Sequence, residues 1–304
     1  MKPGRGFVLV CAAFAGTIGV GLALPQWAQF VLTVALAKGM VVLGLLILMR
    51  SGLISFGQGL FYCFGAYTAG ALVKAGVAGS VPLLVLAGGA AAALLALVTG
   101  FLLANYRGIF FGLLSLALSM ILYGVLVKSQ YLGSSDGFNV FKPEQAPSSA
   151  TLLVIAGLLG LLASLFVQRY LRTPLGRLCE AIRDNELRVE YMGASVRNAI
   201  HGKYVIAATL AGLGGALAAV TVGHIDPDMA YWTTSGEFVF IAVLGGTASV
   251  LAPFFGSIIF AAIYSIAYDL SPHTWQMSVG TALLLCILFL PEGLWSMFTR
   301  RKGA

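Results

Sequence analysis

Apolar residues in this chain come as long runs, without the alternation of half-buried strands or the polar face of a surface helix. Runs fall near 7–24, 30–49, 52–73, 81–103, 108–127, 150–168, 203–222, 237–250, 253–271 and 274–296. Most are long enough, as helices, to cross a hydrocarbon layer ~30 Å thick; the run at 237–250 is short. A transmembrane barrel would show ~10-residue alternating segments instead. The pattern predicts an all-α, polytopic transmembrane helical bundle of about ten spans, in one domain over residues 1–304. The first run follows Lys2 and Arg5 and exceeds the ~7–15 residues of a signal-peptide core, so it is read as an uncleaved first span.

Composition sharpens the class. The chain is 59% hydrophobic and 10% charged, against roughly 25% charged for a soluble domain. The net charge of +7 does not imply a nucleic-acid partner, because the bases cluster at the ends of apolar runs, next to membrane lipid. Alternating the spans puts fourteen bases on one side (Lys2, Arg5, Arg50, Arg107, seven from Arg169 to Lys203, Arg300, Arg301 and Lys302) and Lys74, Lys128 and Lys142 on the other. The positive-inside rule then predicts both termini in the cytoplasm. The longest outer loop, about 128–150, holds the turn-forming Gly133-Ser134-Ser135-Asp136-Gly137.

Cys11, Cys63, Cys179 and Cys286 show no metal or disulfide spacing, and His201, His224 and His273 stand far apart. Small-residue pairs at four-residue spacing (Ala12/Gly16, Ala66/Gly70, Gly160/Ser164, Gly212/Ala216) are read as helix-packing faces. No Gly-x-x-x-x-Gly-Lys-Ser/Thr occurs, since Gly202-Lys203 is followed by Tyr204. This chain is therefore expected to bind no nucleotide or metal and not to be an enzyme.

One segment breaks the pattern. Eleven of the 29 charged residues lie between Arg169 and Lys203. Thr173 is placed to cap a helix with Pro174 at its first position. Leu175, Leu178, Ala181 and Ile182 would share an apolar face. Asp184 and Asn185 can cap a second helix, with Asp184 positioned to pair with Arg188. Two short helices with a break near Asp184 are predicted, forming a docking element within a loop of about 169–202.

Here the sequence resembles a known family. Thr173-Pro174-x-Gly176-Arg177, Ala181-Ile182-Arg183-Asp184-Asn185-Glu186 and Gly193 resemble the cytoplasmic coupling loop of LivM-type permeases, the membrane subunits of ATP-binding cassette importers for branched-chain amino acids, urea or amides. Gly52-Leu53-Ile54-Ser55-Phe56-Gly57-Gln58-Gly59 with Gly65-Ala66-Tyr67, Arg107-Gly108-Ile109-Phe110-Phe111 with Ser134-Ser135-Asp136-Gly137, Glu237 with Leu244-Gly245-Gly246, and Leu290-Pro291-Glu292-Gly293-Leu294 match further blocks in order. The resemblance implies two ATPase subunits that carry ATP and Mg, a second homologous permease and an external substrate-binding protein. It makes Thr173, Pro174, Gly176, Arg177, Ala181, Ile182, Arg183, Asn185 and Glu186 the ATPase-coupling residues. Ala252, Glu292 and the mid-span Lys38 depart from the family pattern.

The translocation path is expected where glycines or prolines interrupt apolar runs, at Ser51–Gly59 and Gly245–Gly256. Ser55, Gln58, Ser115, Ser119 and Tyr123 could there meet a passing zwitterion. The rival class is a secondary transporter or channel, for which Lys38, Glu237 and Asp269 are the candidate intramembrane ions. Lys38 costs ~2.5–3.5 kcal/mol mid-span, which its apolar neighbours outweigh. The sequence thus demands no partner for it. The three ions are read as isolated, with Glu237 and Asp269 near span ends.

Overall fold

The computed structural model describes residues 3–76, 80–141 and 147–270, and scattered positions between 277 and 296. The tenth run therefore lies largely outside the described residues, as do Lys2, Lys142, His273, Cys286, Leu290, Pro291, Glu292, Arg300, Arg301 and Lys302. Among the described residues the regular structure is all-helical apart from one two-residue ladder. The helices are α1 (Pro3–Ala23), α2 (Gln26–Arg50), α3 (Gln58–Lys74), α4 (Val81–Leu103), α5 (Gly108–Lys128), α6 (Ser149–Tyr170), α7 (Pro174–Asp184), α8 (Glu186–Tyr191), α9 (Val196–Val222), α10 (Trp232–Gly245) and α11 (Ala252–Leu270). Strands β1 (Phe138–Asn139) and β2 (His224–Ile225) pair antiparallel.

Seven of these helices, α1, α2, α4, α5, α6, α9 and α11, are long and apolar enough to cross a membrane. Two others are shorter than the runs that foretold them. The run at 52–73 becomes helical only at Gln58, because Gly52 adopts φ +75° and residues 51–57 leave the helix. The run at 237–250 becomes the 14-residue α10, which starts five residues earlier, at Trp232, and stops at Gly245. The expected interruptions at 51–59 and 245–256 are non-helical only in part, at 51–57 and 246–251.

The bundle is built around α9, which packs most extensively against α2, α4 and α3. Those approaches require glycine. A methyl on Gly215 would collide with the Tyr62 carbonyl, and one on Gly65 with the Gly212 carbonyl. Lipid tails are as apolar as leucine, so backbone proximity rather than water exclusion holds such helices together. Gly212 and Ala216 meet α4, Gly70 meets Phe138 and Ile225, and Gly160 meets Phe14 and Phe254. The expected Ala12/Gly16 face fails in part, since nothing lies within 4 Å of a methyl built on Gly16. From Leu36 to Leu48, α2 is buried all round apart from Lys38. In contrast, α4 and α5 turn Val98, Ile109, Phe110 and Val125 outward, as a lipid-facing belt does.

The two ends of the bundle differ. Arg50, Arg107 and the α7–α8 segment gather at one end, called the basic face below. At the other, Gly133–Gly137 forms the expected turn, with Gly133, Ser134 and Gly137 at positive φ. It leads into the β1–β2 ladder, and Lys74 donates to the Tyr131 carbonyl at 3.2 Å beside it.

Candidate functional site

The α6–α7 corner follows from four residues. Thr173 Oγ1 donates to the Tyr170 carbonyl at 2.6 Å and accepts from the Gly176 amide at 3.2 Å. Pro174 occupies the first helical turn, where its missing N–H costs nothing. Gly176 is buried against the Tyr170 carbonyl and Leu171, leaving no space for a side chain. Thr173, Pro174 and Gly176 thus build the corner. Gly176 is buried and Thr173 half-buried, whereas Pro174 is exposed.

The break at Asp184 is also as expected, and Asn185 is the cap of α8: its Oδ1 accepts from the Arg188 amide at 3.0 Å. Asp184 does not pair with Arg188. Its nearest cation is Arg183, at 4.0 Å, because the break at Asn185 interrupts the helical register that an i, i+4 pair needs.

The expected apolar face of α7 divides. Ile182 and Cys179 join the core, with Val189 of α8 beside them, whereas Leu178 is half-buried and Ala181 exposed. Arg183 lies over Gly52, linking α7 to the bend after α2. Of the seven bases from Arg169 to Lys203, six are exposed, Arg177 among them. Lys203 is fully buried, with Nζ donating to Ser51 Oγ at 3.2 Å. Left facing outward are Leu175 (59% exposed), Leu187 (66%), Tyr191 (90%) and Met192 (79%). Large apolar side chains on a charged surface mark an interaction site.

Two sequence blocks far apart meet here. Arg107 Nε donates to both Glu186 carboxylate oxygens, at 2.7 and 2.9 Å, and its Nη1 donates to the Ala104 and Tyr106 carbonyls. The guanidinium therefore clamps α8 to the α4–α5 turn. Arg50 likewise donates to the Thr247 carbonyl, at 3.0 and 2.7 Å, tying the end of α2 to the break before α11. Leu294 and Trp295 amides donate to the Leu244 and Gly245 carbonyls, so the two C-terminal blocks also touch. The break at 246–251 is thus occupied by packing and backbone bonding at the basic face, beside Arg50.

The polar residues expected on the translocation path gather in the interior around residues 55–59. Ser55, Gln58, Ser115 and Ser119 are fully buried; Tyr123 is half-buried, 5.0 Å from the Tyr231 ring. The hydroxyls are engaged with backbone. Ser55 Oγ accepts from Gly57 N, Ser115 Oγ accepts from Phe56 N and donates to the Gly112 carbonyl, and Ser119 Oγ donates to the Ala230 carbonyl. Ser235, which the sequence did not single out, accepts from Gly59 N at 3.0 Å. Irregular backbone at membrane depth needs such partners. Gln58 differs: neither of its amide atoms has a hydrogen-bond partner among the described residues.

The reading of three isolated ions is overturned. Lys38 Nζ donates to Glu237 Oε1, and about a quarter of each side chain remains exposed. Glu237 sits more than a turn inside α10 rather than at its end, because the ion pair removes the need for water. Asp269 lines the same groove as Lys38, between α2 and α11. Among the described residues no three His, Cys, Asp or Glu side chains could hold a metal ion together.

A family model described as "Branched-chain amino acid transport system / permease component" matches residues 27–288. The chain belongs to this permease family. The high-affinity branched-chain amino acid transport system permease protein LivM of Escherichia coli K12 is 29% identical over 276 residues, covering 81% of this chain and 64% of LivM. BraD of Pseudomonas aeruginosa is 29% identical over 145 residues, covering 47% of this chain and 44% of BraD. LivH of Salmonella typhimurium is 25% identical over 194 residues, covering 63% and 59%. The chain thus spans somewhat under two thirds of the length of these relatives. It is a multi-pass membrane protein of a bacterial transport-permease family.

Proposed function

We propose that this chain is the membrane-spanning permease subunit of an ATP-binding cassette importer, moving branched-chain amino acids or related small zwitterionic or amide solutes into the cytoplasm. The observation that carries this reading is the α7–α8 surface. Its scaffold is fixed by local caps and the Arg107 clamp, while Leu175, Leu187, Tyr191, Met192 and the surrounding arginines stay exposed among the described residues. An apolar centre with a charged rim suits a protein cleft. The partner assigned to it is an ATPase, which binds ATP and Mg and moves this segment as its two copies close. Arg177, Ala181 and Arg183 belong to the contact; Thr173, Pro174, Gly176, Ile182, Asn185 and Glu186 set its shape.

The remaining partners are a second homologous permease and an external substrate-binding protein. Escherichia coli K12 has both a LivM and a LivH that match this chain, which supports a permease pair of two related chains. The basic face is assigned to the cytoplasm, together with both ends of this sequence, and the whole of 1–304 to one permease domain. In the interior, Gln58 is the polar group left to meet a passing solute, with Ser55, Ser115, Ser119 and Tyr123 holding the walls. An intramembrane ion pair by itself would equally suit an ion-coupled secondary transporter; the family match over 27–288 favours the ATP-driven reading.

The test is co-purification in mild detergent followed by reconstitution. Two ATPase chains and a related permease should co-elute, and uptake should require ATP. Uptake by this chain alone, insensitive to ATP, would overturn the proposal. Orientation is read from Ser148→Cys and Glu190→Cys in a cysteine-free background. The first should react with an impermeant thiol reagent in intact cells and the second only after permeabilisation. Native Cys179 is no reporter, since it is buried.

A further inference from the structure

Lys38 is the thirteenth residue of the 25-residue α2, about 18 Å from either end at 1.5 Å per residue. An ammonium at that depth does not face lipid tails cheaply; ionisable groups there face the bundle interior or an aqueous cavity. One of its three N–H donors is taken by Glu237. A quarter of the Lys38 side chain is nevertheless open, and it opens into the α2–α11 groove. That groove offers about 240 Å³; Phe30, Val34, Phe260 and Tyr268 are among its walls, and Ser265 and Asp269 add polar side chains. Small-molecule sites have this make-up, a mostly apolar wall with a few convergent polar groups, and drug-sized ligands need about 300 Å³ or more. A smaller solute is indicated.

We propose that this groove is a transit site for a small zwitterion with an apolar side chain, its carboxylate on Lys38 Nζ and its ammonium on Glu237. The assignment rests on the importer reading above and adds, to Gln58, a second place where the solute is met. A zwitterion carries its two charges within a few ångströms of each other, as the Lys38–Glu237 ion pair does. Binding exchanges one ion pair for two, with no net charge moved into the bilayer. Release restores the pair, so each state has its charges compensated and the solute is held only transiently. The aliphatic side chain lies against Val34 and Phe260. Asp269, on the same groove, favours arrival of the ammonium end. A lipid tail would leave Lys38 facing hydrocarbon, so it is the poorer occupant.

The test uses the full-length chain in nanodiscs, with all four native cysteines replaced and Ser265→Cys as the reporter. An impermeant thiol reagent should react with it. Leucine should slow that reaction severalfold, whereas isocaproate, lacking the ammonium, and leucinol, lacking the carboxylate, should do so much less. The double variant Lys38→Met/Glu237→Gln keeps the volume and removes both charges without stranding either. It should react as fast as the parent but lose protection by leucine. An unreactive reporter would mean that the groove is covered, and would overturn the proposal. Protection that persists in the double variant, or no protection in the parent, would do the same. No ATP or ATPase subunit is needed, so failure here leaves the importer reading standing, while ATP-independent uptake would sink that reading whatever leucine does.

Discussion

The α7–α8 segment and the Lys38–Glu237 pair are both places where this apolar chain spends charge, and they are organised in opposite ways. In α7–α8 the helix caps span a few residues, Thr173 to Gly176 and Asn185 to Arg188, with the Arg107–Glu186 clamp added from afar. The charges there stand largely in water, where a lone arginine is tolerated. Lys38 and Glu237 lie 199 positions apart in sequence and meet in the middle of the bundle. In water, local capping suffices and the charges remain available to a partner. In hydrocarbon a lone ion is costly, and the packing of α10 against α2 gives each of these two its counter-ion.

That contrast is open to attack by mutation, most severely at the pair. Lys38→Met alone should strand Glu237 and cost about 2–4 kcal/mol of stability, within the range for breaking a buried pair with some relief from its partial exposure. Lys38→Met/Glu237→Gln should recover most of the loss in a detergent thermal-unfolding series. Equal loss in the single and double variants would mean that the two ions are not coupled.

Next comes the corner of the coupling segment. Gly176→Ala should cost about 1–3 kcal/mol, since the new methyl meets the Tyr170 backbone rather than a yielding side chain. Thr173→Ala should cost about 1 kcal/mol through loss of the cap, and Thr173→Ser close to nothing. Limited proteolysis between α6 and α9 would report both. If Thr173→Ala is silent there, the cap is not what orders the segment.

Arg107→Gln should cost less than about 1 kcal/mol, because the pair with Glu186 is about one-third exposed. Its effect should appear instead as faster amide exchange confined to α8. Protection unchanged in α8 would show that the Arg107 clamp does not hold it.

Tyr191→Ala and Arg177→Glu should move stability least, within about 0.5 kcal/mol for exposed sites, yet lower ATPase recovery severalfold. Retention of full ATPase binding by both variants would reduce the segment to a solvated basic loop. Arg50→Glu is not a neutral comparison for them, because Arg50 holds the Thr247 carbonyl; Arg197→Glu, exposed at the start of α9, serves better.

Much of the site was legible where its causes are local. The corner Thr173-Pro174-x-Gly176, the cap at Asn185 and the two helix breaks all follow from side chains acting on neighbouring backbone. The face of α7 was only half legible. Periodicity groups Leu175 with Ile182 but does not say which of them the rest of the bundle will cover. Gln58 and the serines around it were singled out by polarity within an apolar run. That the serines are engaged with the backbone of residues 56–59 and the 230 region, while Gln58 has no described partner, depends on where α5 and α10 lie.

By itself, the sequence determined that this chain lives in a bilayer, roughly where its helices run and where its charge collects. Those features depend on transfer from water to hydrocarbon and on local hydrogen bonding, both of which are written residue by residue. Only the tertiary structure decided that Lys38 has Glu237, that Arg107 holds Glu186 and that Lys203 is buried on Ser51. Each of these joins two segments far apart in the chain, brought together by helix packing, and no periodicity along one segment encodes the partner on another.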